Sequence, residues 1–162
     1  MSYLPHATDK ANKCVMLAGL MQMTKATTVA RLRQLSAKQM RLLVRATALL
    51  GLASAAVSLL PFRIAIRFGS VRLGRQTGSI EDCVWAVGAA ARRIPSRAMC
   101  IEKGLALQRM LRSCGIDAKL HYGARHHPET GDLEAHVWVT VKGKPIIGGT
   151  EAADFAPISI YP

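Results

Sequence analysis

The chain has 162 residues, half of them hydrophobic, and a formal net charge of +12. This length is enough for one domain with a real core and not comfortably for two. The charge indicates acidic partners: nucleic acid, an anionic membrane surface or an acidic peptide. Aromatic residues make up only 5% of the chain, too few for a stacking platform that binds single-stranded nucleic acid.

Four cysteines are spread along the chain without a C-x-x-C pair: Cys14, Cys83, Cys100 and Cys114. Their spacing indicates neither a zinc ribbon nor a small disulfide-bonded domain. The first residues, MSYLPHATDK, lack the basic-then-apolar pattern of a signal peptide. We therefore expect a protein of the reducing cytoplasm.

The predicted elements begin with a poorly determined segment, residues 1–28, in which Met23 is an alternative start position. Residues 29–60 repeat apolar side chains at helical intervals and predict one or two helices. Within this region, residues 46–62 carry no charge, which is at the short limit for a membrane span. Their length favours a buried core helix or helical hairpin, with peripheral membrane contact as the alternative and no firm insertion.

Residues 63–78 are predicted to be a basic connector that completes an N-terminal helical and basic region over 29–78. Ser79, three residues before Asp82, resembles a capping box and predicts the start of a helix. That helix opens the third predicted part of the chain, a catalytic core over 79–162.

The stretch 95–115 predicts one amphipathic helix. Its apolar stripe consists of Ile101, Leu105, Leu107, Met110 and Leu111. Pro95 and Ser96 are start signals, and Gly115 is a stop signal. Cys100 therefore falls in or near the first turn, where free backbone N–H groups and the helix dipole favour a thiolate over a thiol. A structural, buried Cys100 is the alternative, since free cysteines often pack as small apolar side chains.

Downstream of this helix the pattern changes to the alternation of β-strands. Residues 118–125 and 135–141 predict two strands, and residues 144–147 predict a short third strand. The polar stretch 126–134 predicts the loop between the first two. Helices followed by an antiparallel meander predict an α+β fold.

A cysteine at a helix start and a histidine on a strand together indicate nucleophilic chemistry. A cysteine nucleophile needs a base that takes its proton and a third group that orients this base. Cys100 can supply the nucleophile and His136 the base, and the backbone N–H of Cys100 can contribute to an oxyanion hole. Glu151 and Asp154 follow as an acidic cluster.

Transition-metal binding is the competing interpretation of the histidines and one cysteine: His121, His126, His127, His136 and Cys114. No pair among them has the spacing of zinc ligands, and His126 and His127 lie in a predicted solvated loop. We therefore predict neither a metal site nor another cofactor.

Three stretches resemble the lasso-peptide leader peptidases, which are transglutaminase-like, papain-type cysteine proteases: residues 98–115, the strand motif AHVWV at 135–139, and the turn at Gly143. The helix follows the pattern C-[LI]-E-x-[AG]-L-A-L-x-x-[ML]-L-x-x-x-G, and the strand follows A-H-[AV]-W-V. The resemblance covers residues 30–162, with its specific motifs confined to 98–149. It implies N-terminal helices followed by a transglutaminase-like or papain-like helix and an antiparallel sheet.

By this resemblance, Cys100 is the nucleophile and His136 the general base of a peptidase that works through a thioester. Relatives commonly carry an aspartate at the position that Gly148 occupies here. Glu151 is then the nearest carboxylate for the third catalytic role and Asp154 the next. A backbone carbonyl or a water is the alternative group that would orient the histidine.

The resemblance also implies partners. The substrate would be the leader of a lasso-peptide precursor, and an ATP-dependent macrolactam cyclase would act on the product. Because residues 1–28 are too short for a winged-helix recognition domain, we expect a separate leader-recognition protein. Trp138 and Arg97 are the predicted binding residues. The alternatives are a non-catalytic leader-binding scaffold, an amine acyl-transferase, and a basic protein bound to a membrane surface or to nucleic acid.

Overall fold

A computed structural model describes residues 35–71, 77–93 and 100–162. Several predictions concern residues outside these ranges: the segment 1–28, the start signals Pro95 and Ser96, and the binding residue Arg97. The chain divides into two compact units, Met1–Met40 and Arg41–Pro162. The second unit carries the sheet and the residues of the predicted site. The predicted boundaries after residues 28 and 78 stay predictions.

The described helices, in chain order, are α1 (Ala37–Leu59), α2 (Phe62–Ala65), a 3₁₀ helix (Ile66–Ser70), α3 (Ile80–Ala91), α4 (Cys100–Ser113) and α5 (Gly149–Ala152). The strands are β1 (Ala118–His126), β2 (Leu133–Val141), β3 (Lys144–Ile147) and β4 (Ala156–Tyr161). All neighbouring strands are antiparallel, in the order β3-β2-β1-β4. Helices followed by an antiparallel sheet confirm the predicted α+β class.

Local sequence signals explain where α3 begins and which face of α1 is buried. The Ser79 hydroxyl accepts the backbone N–H of Asp82 at 3.1 Å, and the Asp82 carboxylate accepts the backbone N–H of Ser79 at 3.3 Å. The predicted capping box is therefore present. Helix α1 buries one stripe at helical spacing: Leu42, Leu43, Ala46, Leu49, Leu50, Ala53 and Ala56. By length and composition it is also apolar enough to cross a membrane.

Helix α4 packs closely against the centre of the sheet. Its side chains Leu105, Leu107 and Leu111 are completely buried. Gly104 permits the close approach, since a β-carbon at this position would lie 2.8 Å from Cγ1 of Val137. Val137 therefore faces α4, and the alternation of side chains along β2 turns the neighbouring His136 to the opposite face of the sheet.

The predicted basic connector 63–78 contains two short helical elements that the sequence pattern did not identify, the end of α2 and the 3₁₀ helix. Two arginines of α4 hold this segment. Arg109 donates from Nη1 to the Phe68 carbonyl at 3.2 Å and lies 4.2 Å above the Phe68 ring. Arg112 donates from Nε to the Ser70 carbonyl at 3.2 Å. Because these contacts are made with residues of α4, the sequence pattern within 63–78 does not predict them.

Strand β4 is a further element that the sequence pattern did not predict. It pairs with β1 at the edge opposite β3. Gln108 of α4 is completely buried and donates from Nε2 to the carbonyls of Ala118 at 3.3 Å and Tyr161 at 3.0 Å. This one side chain thus links the central helix to the first residue of β1 and the last residue of β4.

Candidate active site

Cys100 is the first residue of helix α4. Its thiol is free and its side chain is half-buried. At this position the first backbone N–H groups of the helix have no partner within the helix. The predicted location of Cys100 in the first turn therefore agrees with the structure, whereas its predicted catalytic role stays a prediction.

His136 lies on β2, 8% exposed, and is held by a backbone carbonyl. Its Nε2 atom is 2.9 Å from the oxygen of Gly148. A carbonyl oxygen can only accept a hydrogen bond, so Nε2 carries the proton. In the neutral ring, Nδ1 is then the unprotonated nitrogen, which is the atom able to accept a proton from a nucleophile.

The backbone conformation at Gly148 explains why glycine is required there. Its φ of 71° lies in the left-handed region. A β-carbon on Gly148 would lie 2.7 Å from the Val137 carbonyl oxygen and 3.1 Å from Nε2 of His136. A side chain at position 148 would therefore collide with the strand that carries the histidine. Gly148 therefore contributes its carbonyl oxygen, and no side chain, to the surroundings of His136.

The two candidate carboxylates differ in their relation to His136. Glu151 places Oε2 3.8 Å from Nδ1 of His136, with 71% of its side chain exposed. This distance is too long for a hydrogen bond and describes a solvated ion pair when the ring is charged. Asp154 instead places Oδ2 3.4 Å from Nη1 of Arg125. Of the two, Glu151 is the one that the structure brings to the histidine.

Aromatic rings enclose His136 on the same face of the sheet. The Trp138 ring is nearly parallel to it, with centroids 6.1 Å apart. Phe155, also buried, lies with its centroid 5.0 Å from the imidazole. The Arg125 guanidinium covers Phe155 at 4.5 Å from the ring centroid. Trp138 and Phe155 therefore restrict rotation of the imidazole, in addition to its hydrogen bond.

A second histidine stacks on the other side of Trp138. The centroids of His121 and Trp138 are 5.3 Å apart, with an angle of 11° between the rings. Nε2 of His121 lies 2.9 Å from the Thr140 hydroxyl. Burial, and secondarily the positive charge of Lys119, lower the pKa of His121. Trp138, predicted as a binding residue, is itself only 8% exposed between the two imidazoles.

The structure does not connect every member of the predicted site. Among the described residues, no hydrogen bond joins the Cys100 thiol to the His136 ring. Gly104, one turn after Cys100, packs against Val137, and the His136 ring is hydrogen-bonded to the Gly148 carbonyl. The histidine is thus assembled with Gly148 and Glu151, and the cysteine stands at the N-terminal end of the helix that packs on the same strand.

His126 and His127, the other two histidines in the described ranges, have structural partners. Nδ1 of His126 lies 3.0 Å from the Gly131 carbonyl, and Nδ1 of His127 accepts the backbone N–H groups of Glu129 and Thr130 at 3.3 Å. Both histidines therefore stabilise the turn between β1 and β2. Within the described ranges, no group of three or more His, Cys, Asp or Glu side chains is arranged to hold a metal ion.

A backbone carbonyl is among the groups that the sequence allows to orient His136, but the sequence does not assign it to Gly148 and does not predict the contacts of Phe155 and Arg125. A backbone carbonyl carries no side-chain signature, and the only local signal was the Gly148-Gly149 pair after a short strand. Phe155 contacts His136, and Arg125 covers Phe155, through tertiary packing between separate elements, which single-sequence periodicity does not encode.

Comparison with known proteins places the chain in a family. A family model described as the transglutaminase-like superfamily matches residues 14–160. Curated proteins and solved structures give no significant match. Members of this superfamily usually have cysteine-protease or acyltransferase activity. With a match over most of its length, a cysteine at a helix start and a histidine on the adjoining strand, this chain belongs to the transglutaminase-like superfamily.

Proposed function

We propose that the chain is a cysteine peptidase that removes the leader peptide from a lasso-peptide precursor, with Cys100 as the nucleophile and His136 as the general base. The observation that carries the proposal is the bond from Nε2 of His136 to the Gly148 carbonyl. It fixes the tautomer in which Nδ1 is available as a base. The superfamily supplies the class of chemistry.

The proposed reaction has two halves. Nδ1 of His136 takes the proton of the Cys100 thiol, and the sulfur attacks the carbonyl carbon of the scissile bond. The imidazolium then gives its proton to the leaving nitrogen, the C–N bond breaks, and a thioester remains on Cys100. In the second half His136 takes a proton from water, the hydroxide attacks the thioester, and the thiol and a carboxylate are released.

Three groups of the site support these steps in the proposal. The backbone N–H of Cys100 lies at the helix start, where it can donate to the oxyanion of the tetrahedral intermediate. The Gly148 carbonyl stabilises the imidazolium by accepting from Nε2 throughout the cycle. Glu151 adds a weaker, solvated interaction with Nδ1–H, because its side chain is mostly exposed.

Leader specificity rests on the two motifs of the resemblance, the helix at 98–115 and the strand AHVWV at 135–139. The net charge of +12 suits an acidic leader or an acidic partner surface. We propose a separate leader-recognition protein of winged-helix type as the delivery partner, an ATP-dependent cyclase as the next enzyme, and the cytoplasm as the compartment. Trp138 and Arg97 stay the proposed binding residues.

A cleavage assay tests this proposal. A lasso precursor and its leader-recognition protein are incubated with the wild-type chain, Cys100→Ala and His136→Ala, and the products are identified by mass. We expect each variant to lose on the order of a thousandfold in rate. His127→Ala, which removes an imidazole from the β1–β2 turn, is the matched control and should cleave normally. Cleavage by Cys100→Ala at the wild-type rate would overturn the peptidase assignment.

Two other functions remain open to the same assay. Acyltransferase activity is usual in the superfamily, and an added amine would then appear in the product in place of water. A non-catalytic leader-binding scaffold is favoured by the absence of an acidic side chain at position 148. Binding of the precursor that persists in Cys100→Ala, without any cleavage by the wild-type chain, would support the scaffold.

A further inference from the structure

The thiols of Cys83 and Cys114 meet beside Gly78. A β-carbon at Gly78 would lie 3.2 Å from Sγ of Cys114 and 4.0 Å from Sγ of Cys83. The nearby Cys114 thiol also contributes to the raised pKa of the Cys83 thiol. Both cysteines are free. The sulfur of Cys83 in α3 and the sulfur of Cys114 just after α4 therefore adjoin the same small space next to the N-cap of α3.

We propose that Cys83 and Cys114 are a redox modification site that closes into a reversible disulfide. Cys83 lies in α3, and Cys114 directly follows α4. Both sulfurs border the space beside Gly78, and the disulfide forms when they close to the S–S length of about 2 Å. The backbone beside the pair offers little hindrance, because the flanking residue, Gly78, has no side chain.

The two cysteines differ in accessibility, and this sets the order of the chemistry. Cys83 is completely buried. Burial, followed by the neighbouring Cys114, raises the pKa of Cys83 to about 12, so this sulfur stays protonated at neutral pH. Cys114 is half-buried and can meet a small oxidant. Cys114 is therefore the attacking thiol and Cys83 the resolving thiol.

With oxidised glutathione as the oxidant, the electrons and protons of disulfide formation balance. The Cys114 thiolate attacks one sulfur of glutathione disulfide and releases one glutathione thiolate. The glutathione thiolate released first takes the proton of Cys83. The Cys83 sulfur then attacks the Cys114 sulfur of the mixed disulfide and releases the second glutathione thiolate, which takes a proton from water. The two protein thiols lose two electrons and two protons, and one glutathione disulfide becomes two glutathione molecules.

The disulfide would stabilise the fold without blocking the proposed nucleophile. Cys100 begins α4 and Cys114 follows its end, so the two sulfurs lie roughly 20 Å apart along the helix axis. Closing the loop from residue 83 to residue 114 restricts the unfolded chain, and we expect the Tm to rise by roughly 5 °C or more. The inference therefore stands independently of the peptidase assignment.

Peptide mapping tests the proposal. The full chain is incubated with oxidised glutathione at about pH 8, digested without reduction, and analysed by mass spectrometry beside Cys83→Ala, Cys114→Ser and the control Cys14→Ser. We expect a linked Cys83–Cys114 peptide in the wild-type chain and in the control. Cys83→Ala should keep one glutathione on Cys114, and Cys114→Ser should form no bond at Cys83. If Cys83→Ala does not fold, Cys114→Ser alone decides, since its site is half-exposed.

Two results would overturn the proposal. One is a stable mixed disulfide at Cys114 in the wild-type chain that Cys83 never displaces. The other is that both thiols stay free while Cys100 is fully modified. A Cys100→Ala chain that forms the same linked peptide would show that the pair acts independently of the proposed nucleophile, whatever the outcome of the cleavage assay.

Discussion

The turn at Gly148 determines how His136 is held, and the substitution Gly148→Ala tests this directly. The added methyl group would lie 2.7 Å from the Val137 carbonyl oxygen and 3.1 Å from Nε2 of His136. A backbone oxygen in a paired strand cannot rotate away as a flexible side chain can. The turn must therefore shift, and the Gly148 carbonyl loses its 2.9 Å contact with the imidazole.

The loss of stability in Gly148→Ala has two parts, which a control variant separates. A non-glycine residue in the left-handed region costs roughly 1–2 kcal/mol, and the steric conflict adds roughly 1–3 kcal/mol. Gly131 has nearly the same φ, 73° against 71°, but a β-carbon there would have no atom within 4 Å. Gly131→Ala therefore carries the first cost alone, and the difference between the two variants measures the second.

Two measurements follow the substitution. Urea denaturation should show Gly148→Ala less stable than Gly131→Ala by about 1–3 kcal/mol. Alkylation of Cys100 by iodoacetamide should be slowed roughly fivefold in Gly148→Ala, the equivalent of one lost hydrogen bond, and unchanged in Gly131→Ala. Equal stabilities and equal alkylation rates in the two variants would refute the conclusion that the Gly148 carbonyl positions the histidine.

Three further predictions concern packing, pH and charge. Gly104→Ala should destabilise the fold by about 1–3 kcal/mol, because its methyl group meets Val137 at 2.8 Å. The lowered pKa of His121 makes the folded state bind its proton less readily than the unfolded state. Stability should therefore be lost as the pH falls from about 7 toward 5, and His121→Gln should flatten that part of the curve. Glu151→Gln should reduce cleavage less than tenfold, and the effect should shrink in high salt, because the pair is exposed.

Each of these has a control or a contrary outcome. Gly51 lies on the open surface of α1, so Gly51→Ala should stabilise the fold by about 1 kcal/mol through helix propensity. A similar gain in stability from Gly104→Ala would show that α4 does not approach β2 closely. If His121→Gln and the wild-type chain have the same pH–stability curve, His121 does not contribute to the loss of stability at low pH. A loss from Glu151→Gln as large as that from His136→Ala would make Glu151 an essential catalytic carboxylate.

The sequence predicted those elements whose signals are local. The capping box at Ser79, the apolar stripe of α4 and the strand pattern of β2 each depend on residues within a few positions of one another, and the structure contains the capping box, the helix and the strand. Strand β4 was missed because its stability derives from pairing with the distant β1. The 3₁₀ helix was missed because arginines of α4 hold it.

The same difference between local and non-local signals applies to the site. The positions of Cys100 and His136 follow from a helix start and a strand pattern, which are both local. The sequence allowed a backbone carbonyl as the partner of His136 but did not identify Gly148, because the left-handed turn that places this oxygen has no side-chain signature. The enclosure of the imidazole by Phe155 depends on a buried ring that follows α5, where the sequence suggested only a carboxylate cluster.

The central claim, that His136 activates Cys100, is tested most directly by the reactivity of the thiol itself, which needs no substrate. The alkylation rate of each cysteine is followed by peptide mass spectrometry at about pH 6 in the wild-type chain, His136→Ala and the control His127→Ala. The account predicts that Cys100 reacts fastest in the wild-type chain and in the control, and that His136→Ala slows it on the order of tenfold or more. Equal rates at Cys100 in all three proteins would contradict it.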